Sequence, residues 1–474
     1  MTRLGEKSES TAPPGLSGIT TIIVGLGIAG LTAAIECHRK GHTVLAFEKA
    51  GPASHIGSDI IGVASNGALV LDRWGQGAFA KELDNLRSDV GCIEFLDASG
   101  KLRSSSNMTG FGVNEGYFLM RSDLVKAMYD YAKSLRISMQ FDCRVTSYWE
   151  KEDRAGIIVN GERVEGDCVI ASDGVYSKAR AALKGDKYPL IGLGSVMHRS
   201  GGFPSKYLRT AEAAQWLFNT TEKQDRMLEI LHEETIFFFG TFQRGKGVYW
   251  ACMHQTSEPI EDSWVKALDA KAVLQVVKDW PICSKLEPII TSIPGGKCFE
   301  HLTMTMEPMD NWRSALGRIM LIGDAAHPVL PTTGQGLSQG IMDGAVLAIC
   351  LELAGKDNVH LGLQAMEMMR IKEASRLQEY GVALIRRLQS QKWECLDQEQ
   401  ELVPRPTWVF AHDCQESAYE NFAAVTQALE RGDEYIPAHV PDGTSLPLTQ
   451  EHELAEQIKA LRERNNLYCH STSG

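Results

Sequence analysis

The residues best suited to chemistry lie in two glycine-bracketed loops. The first is Gly25-Leu26-Gly27-Ile28-Ala29-Gly30, set between a β-branched run, Ile19–Val24, and a helix expected over Leu31–Lys40 with Gly41 as its C-cap. A second strand, Thr43–Phe47, ends at Glu48. In this order Gly25 makes the turn, Gly27 lets the backbone meet a pyrophosphate, and Gly30 lets the helix pack on the strand. Glu48 stands where a carboxylate accepts from ribose hydroxyls. The pattern reads as a dinucleotide-binding unit for FAD or NAD. A bare GxGxxG is weak evidence, and the plainer reading is a Gly-rich turn closed by a solvated Glu. The flanking strand, helix and acid favour the nucleotide. Gly192-Leu193-Gly194 is a decoy, since Met197 stands where a third glycine is needed.

The second loop begins where the apolar run Ile319–Ile322 ends on Gly323 and Asp324. Asp324 offers two acceptor oxygens to hydroxyls. Pro328 and Pro331 exclude helix, and Gly334 and Gly336 permit close approach of a ligand. Helical periodicity then starts, with Leu337, Ile341, Ala345, Ala348 and Ile349 apolar. The loop therefore delivers a ligand to a helix N-terminus, whose free N–H groups and dipole favour an anion.

The elements that must position these loops belong to a long chain. Its 474 residues allow two or three domains, and 43% hydrophobic with 23% charged residues is a globular composition. The net charge of −12 argues against nucleic acid, which needs a basic face. No stretch reads as a transmembrane helix or a basic membrane-binding run. Residues 1–18 are polar and Pro/Ser-rich and read as a disordered leader without a signal-peptide core. Eleven scattered Cys without CxxC imply reduced thiols in a cytoplasmic setting, with no disulfide framework and no metal.

GDAAHPVLPTTGQG, residues 323–336, resembles the second FAD motif of class A flavin monooxygenases, the family of p-hydroxybenzoate and salicylate hydroxylases. Two further stretches extend the resemblance. Asp173-Gly174-Val175-Tyr176-Ser177-Lys178-Ala179-Arg180 is similar to the family's DG motif, which serves the flavin pyrophosphate side and NAD(P)H. Residues 57–66 look like its G-x-x-I-x-x-x-x-N segment, with Ile61 and Asn66 in place and Gly57 one residue early, ahead of an amphipathic helix from about Asn66. The resemblance puts Arg121 on FAD, at the start of a helix capped by Ser122, and the backbone of Val145 against the adenine. A strand is expected over Asp142–Val145. The family's Arg before Pro308 is missing: this chain has Thr305-Met306-Glu307-Pro308.

The resemblance covers residues 19–355 and is nearest to fungal enzymes that act on polyketide-derived phenols. The fold it implies is α/β: a doubly wound Rossmann-like FAD-binding domain (19–190 and 296–360), an inserted mixed β-sheet substrate domain (191–295), and a helical C-terminal region (361–474). The activity it implies is FAD-dependent monooxygenation in secondary metabolism. NADPH or NADH reduces FAD, O2 gives a C4a-hydroperoxide, and an electron-rich phenolic or polycyclic ring is hydroxylated. Pro331, Gly334 and Gly336 would lie against the flavin ring, while His327 braces its loop. Arg199, Arg244, His232 and His254 are candidate substrate contacts, with Arg244 and His232 chosen as catalytic. The partners are thus a small aromatic molecule and O2, with no nucleic acid or membrane, for a monomer or homodimer. Alternatives on the same scaffold are an epoxidase of an isoprenoid chain, an oxygen-independent flavin reductase or dehydrogenase, and a non-catalytic nucleotide binder.

Overall fold

The computed structural model describes residues 16–51, 59–208, 210–218, 224–256, 266–390, 403–441 and 451–471. Most of the leader and Gly57 lie outside them.

Five parallel strands form the central sheet, in the order Ile319–Leu321, Cys168–Ala171, Thr20–Val24, Thr43–Phe47, Ser138–Gln140. Their apolar runs have little polar alternation because both faces are covered. One face carries the helices Ile28–Arg39 and Gly336–Ala354. Small residues set how closely these helices approach: a Cβ on Gly344 would fall 2.7 Å from the Ala33 nitrogen. The other face departs from the doubly wound expectation. A three-stranded antiparallel sheet, Val145–Glu150, Ala155–Val159 and Glu162–Gly166, covers it. Its Val145, Ala155, Ile157 and Val159 pack on Ile22, Val24, Phe47 and Val169, so the apolar cover comes from strands. The strand expected at Asp142 starts at Val145, because Asp142 has φ +54.

A nine-stranded mixed sheet stands beside this unit. Along its main path the order is Lys266–Asp269, Lys297–Thr305, Ile191–Arg199, Gly247–Gln255, Thr235–Phe242, Asp225–His232, Val90–Asp97, Leu102–Asn107. It does not coincide with 191–295, since it recruits strands from 90–107 and 297–305 by long-range pairing. Its two faces follow strand alternation. Phe237, Phe239 and Trp250 point to an outer core with Val273, Val277 and Leu286. On the inner face Phe238 and Met227 meet Phe111, Leu377 and Phe410, and Met253 meets Leu330 and Ile385. Gly192-Leu193-Gly194 lies on one of these strands, as a decoy should.

The helix Gly336–Ala354 corrects the membrane reading: by length and composition it is apolar enough to span, and 78% of its apolar window is buried inside the protein. The helix Ser65–Asp72 is buried on every side instead of amphipathic, wedged between Ser338 and the Phe410 carbonyl. The helix Val359–Ser390 packs along Gly336–Ala354, with Arg370 fully buried between them.

Candidate active site

The first glycine loop closes on its neighbours without slack. Gly25 N–H donates to the Phe47 carbonyl (2.8 Å), and a Cβ on Gly30 would fall 1.9 Å from the Gly25 oxygen. Gly27 is different: nothing lies within 4 Å of where its Cβ would be, so it faces an open groove. The helix that starts there has no side-chain cap and no acid in its first turn. Its N–H groups are left for an anion, as a pyrophosphate requires. Glu48 accepts from Leu26 N–H (2.7 Å) and Ala50 N–H (3.0 Å), so the carboxylate expected at a ribose also holds the loop.

Asp173 is committed to its own turn. It accepts from the Ser177 hydroxyl (2.5 Å) and from the N–H groups of Lys178 and Ala179 (2.8 and 3.1 Å). That capping leaves Gly174 over open space. Arg180 then reaches back, donating to the Ala325 carbonyl at 2.9 Å. The DG turn and the Asp324 turn are thereby fixed to each other.

Asp324 is an exposed residue on the turn Gly323–Ala325. Surrounding protein raises its carboxyl above the usual range, against the pull of His327, Arg121 and Arg180. Arg121 is exposed, and its charge reaches both Asp324 and Asp59. Its helix starts directly from Met120, not from a Ser122 cap, because Arg121 N–H donates to the Asp59 carbonyl (2.8 Å). His327 Nε2 lies 2.6 Å from Asp343, which also accepts from Gly323 N–H (2.9 Å), so His327 does brace the loop.

Pro331 opens a short turn that ends on Gly334 at φ +63, where a Cβ would fall 2.8 Å from the Phe111 ring. Gly336 starts the next helix, also uncapped. The Thr332 hydroxyl and Gln335 Nε2 are buried here without a hydrogen-bond partner among the described residues, and orphans of this kind need a ligand or water. Ile61 and Gly62 form the facing strand, and Asn66 donates to Gln335 Oε1 (3.0 Å). Val145 starts its strand two residues after Cys143, whose N–H donates to the Glu48 carbonyl. The open Gly27, the two uncapped helices, Asp324 and the orphaned amide together fit FAD.

The two residues chosen as catalytic are not brought together. Arg244 is exposed in a hairpin turn, its N–H on Asp225, the first residue of a strand whose last residue is His232. Seven strand steps separate the ends by roughly 23 Å. His232 packs edge-on against Trp280 on the outer side. Of the four candidates Arg199 is the buried one on the inner face: it pairs with Asp59, which Tyr249 also bonds. Burial raises Asp59 while Arg199 and Arg121 pull it down. Glu229, also on the inner face, was not singled out from the sequence. Burial pushes it up to about 7, with Arg405 opposing. Strand alternation with Met227 was the only available signal.

A family model described as "FAD binding domain" matches residues 19–361. The chain belongs to the FAD-dependent monooxygenases. It is 38% identical over 438 residues to the FAD-dependent monooxygenase nanF of Aspergillus nanangensis, covering 91% of this chain and 95% of that one. Asperlicin C monooxygenase of Petromyces alliaceus is 39% identical over 440 residues, with coverage of 91% and 94%. CtdE, solved in complex with FAD and a substrate, superposes with a TM-score of 0.84 at 42% identity, over 87% of this chain and 100% of that one. This FAD-dependent monooxygenase therefore carries the expected motifs in the expected order, in a mixed α/β fold of the FAD-binding type.

Proposed function

We propose that this monooxygenase uses NAD(P)H and O2 to hydroxylate an electron-rich, polycyclic aromatic small molecule in secondary metabolism. The observation that carries the reading is the inner face of the mixed sheet. Ile236, Phe238, Ala251, Met253 and Met197 share it, and Met253 reaches Leu330 at the start of the flavin-facing loop. A broad apolar wall of this kind suits a large flat substrate, with Arg199–Asp59–Tyr249 and Glu229 as its polar points. The mixed sheet is thus assigned as the substrate-binding layer and the C-terminal helices as its outer support. The relatives named for secondary-metabolite oxidation favour the same reading.

FAD, when bound, supplies the two-electron chemistry that activates dioxygen. The chain's own part is positional. Asp324 accepts hydroxyl hydrogen bonds of the bound cofactor. The uncapped helix at Gly336 aims its N–H groups where negative charge accumulates, worth about 3 kcal/mol per well-placed donor. The apolar wall excludes water from the reacting ring.

The test is the visible flavin spectrum after anaerobic NADPH or NADH, with a panel of polycyclic phenols. The expected result is faster bleaching with one phenol and, in air, a product heavier by one oxygen. Bleaching that no aromatic compound accelerates, with an epoxide formed from an isoprenoid chain, would overturn the hydroxylase reading.

A further inference from the structure

Three groups far apart in sequence converge where the C-terminal segments close on the long helix. Glu373 lies on the helix Val359–Ser390, His412 follows the short helix Thr407–Phe410, and His439 follows the helix Cys414–Arg431. One ligand atom from each lies within 4.8 Å of the others. We propose that Glu373, His412 and His439 form a binding site for a first-row divalent cation, zinc in preference, that clasps the C-terminal region onto the flavin-binding core.

The donor set is the first argument. Two imidazoles and one carboxylate suit zinc, with the fourth position left to water. The imidazole rings stack with centroids 3.6 Å apart and 12° between planes, so they approach Glu373 side by side. His439 Nε2 is already 3.0 Å from Glu373 Oε2. The ring nitrogens of His412 have no hydrogen-bond partner among the described residues, which leaves a lone pair for a cation.

Space is the second argument. A cavity of ≈ 10 Å³ adjoins the cluster, bordered by Arg370, His412, Cys414 and His439. That is room for one water, the missing fourth ligand. The ligand atoms must draw in to roughly 3.3 Å, the edge of a zinc tetrahedron. Both histidines lie outside helices, His412 two residues past Phe410 and His439 eight residues past Arg431, so this movement breaks no hydrogen bond within a helix.

The outer shell is the third argument. Glu373 is held from both sides, by Arg370 (2.6 Å to Oε2) and by the Gln339 amide (3.0 Å to Oε1). Ligating carboxylates are oriented by bonds of this kind. Asp343 and Glu373 outnumber Arg370, so the local field does not repel a dication. Through Arg370 and Asp343 the cluster connects to Gly323 N–H and His327, the base of the flavin loop. Linear spacing gave no hint of it: His412 and His439 lie in a stretch without a recognisable motif.

The experiment is elemental analysis of the flavin-loaded full chain, purified without chelator and freed of any affinity tag. The expected content is about one zinc per chain, falling below about 0.1 in H412Q and H439Q. Stripping wild type with dipicolinate should lower its melting temperature, and stoichiometric zinc should restore it. The flavin spectrum reports whether each variant is folded. Should a variant fail to fold, the wild-type titration decides alone. Wild type that contains no zinc and whose melting temperature does not move with Zn2+, Co2+, Ni2+ or Mn2+ would overturn the proposal.

Discussion

Single side chains carry two sharp tests. Asp324 stands on the turn between the second strand–loop motif and Arg180, and removing a charged acceptor costs about 1.5–3 kcal/mol. Asp324→Ala should therefore weaken FAD binding by roughly 10- to 100-fold. Retained flavin measured by absorbance after dialysis checks this, and full occupancy would remove Asp324 from the cofactor site. Glu229 gives a test in pH. Folded, it holds its proton up to about 7, whereas an ordinary glutamic acid releases it near 4.5. The unfolded chain releases that proton first, so stability falls as pH rises from 4.5 to 7 and the full cost stands above 7. Glu229→Gln should thus be more stable than wild type at pH 8, by about 3 kcal/mol, and not at pH 4. Thermal melts at both pH values decide it, because a gap that ignores pH would mean Glu229 is not buried as an acid.

At the scale of elements, two helices and one loop form a rigid unit. Arg370 lies within the long helix and donates to Asp343 (3.0 Å) on its partner and to Glu373 (2.6 Å). Both carboxylates are fully buried. Replacing only the cation takes the shared guanidinium from two buried carboxylates, so Arg370→Met should lose about 3–5 kcal/mol in denaturant unfolding. A loss under 1 kcal/mol would mean water already screens the cluster. The loop has its own test. Gly334→Val would place a Cβ 2.8 Å from the Phe111 ring at φ +63, a conformation a β-branched residue resists. Turnover should disappear while far-ultraviolet dichroism stays unchanged, and wild-type turnover would sink the loop assignment.

For the molecule as a whole, the C-terminal region is an integral support. Arg73 donates to Asp413 (3.0 Å), Gln415 (2.8 Å) and Asn465 (2.7 Å). Gln415 in turn donates to Glu36 on the first-motif helix (3.1 Å), and the Ser65 hydroxyl bonds the Phe410 carbonyl. The tail thus touches the helix that follows the first glycine loop and the buried helix Ser65–Asp72. Arg73→Ala should lower stability by about 2–3 kcal/mol and release the tail to limited proteolysis before the core. Simultaneous cleavage of tail and core would show that the tail is held by other contacts.

By itself the sequence determined the cofactor half. Each FAD motif is a local strand–turn–helix, and local chemistry is written in adjacent residues: Gly25 to Glu48, Asp173 to Arg180, Gly323 to Gly336. His327 as a brace follows from a bond spanning fewer than twenty residues, whereas the bonds Asp173 accepts from its own turn are not read from the motif. Tertiary structure decided the rest, because it depends on pairings between distant segments. Arg199 meets Asp59 across 140 positions. His232 and Arg244, twelve residues apart in the chain, end at opposite ends of adjacent strands because a hairpin strand runs between them. The face opposite the helices is closed by strands instead of a second helical layer, and periodicity within those strands does not say what they cover. Glu373, His412 and His439 come together only because two C-terminal loops close on the middle of the long helix, and spacing along the chain cannot express that.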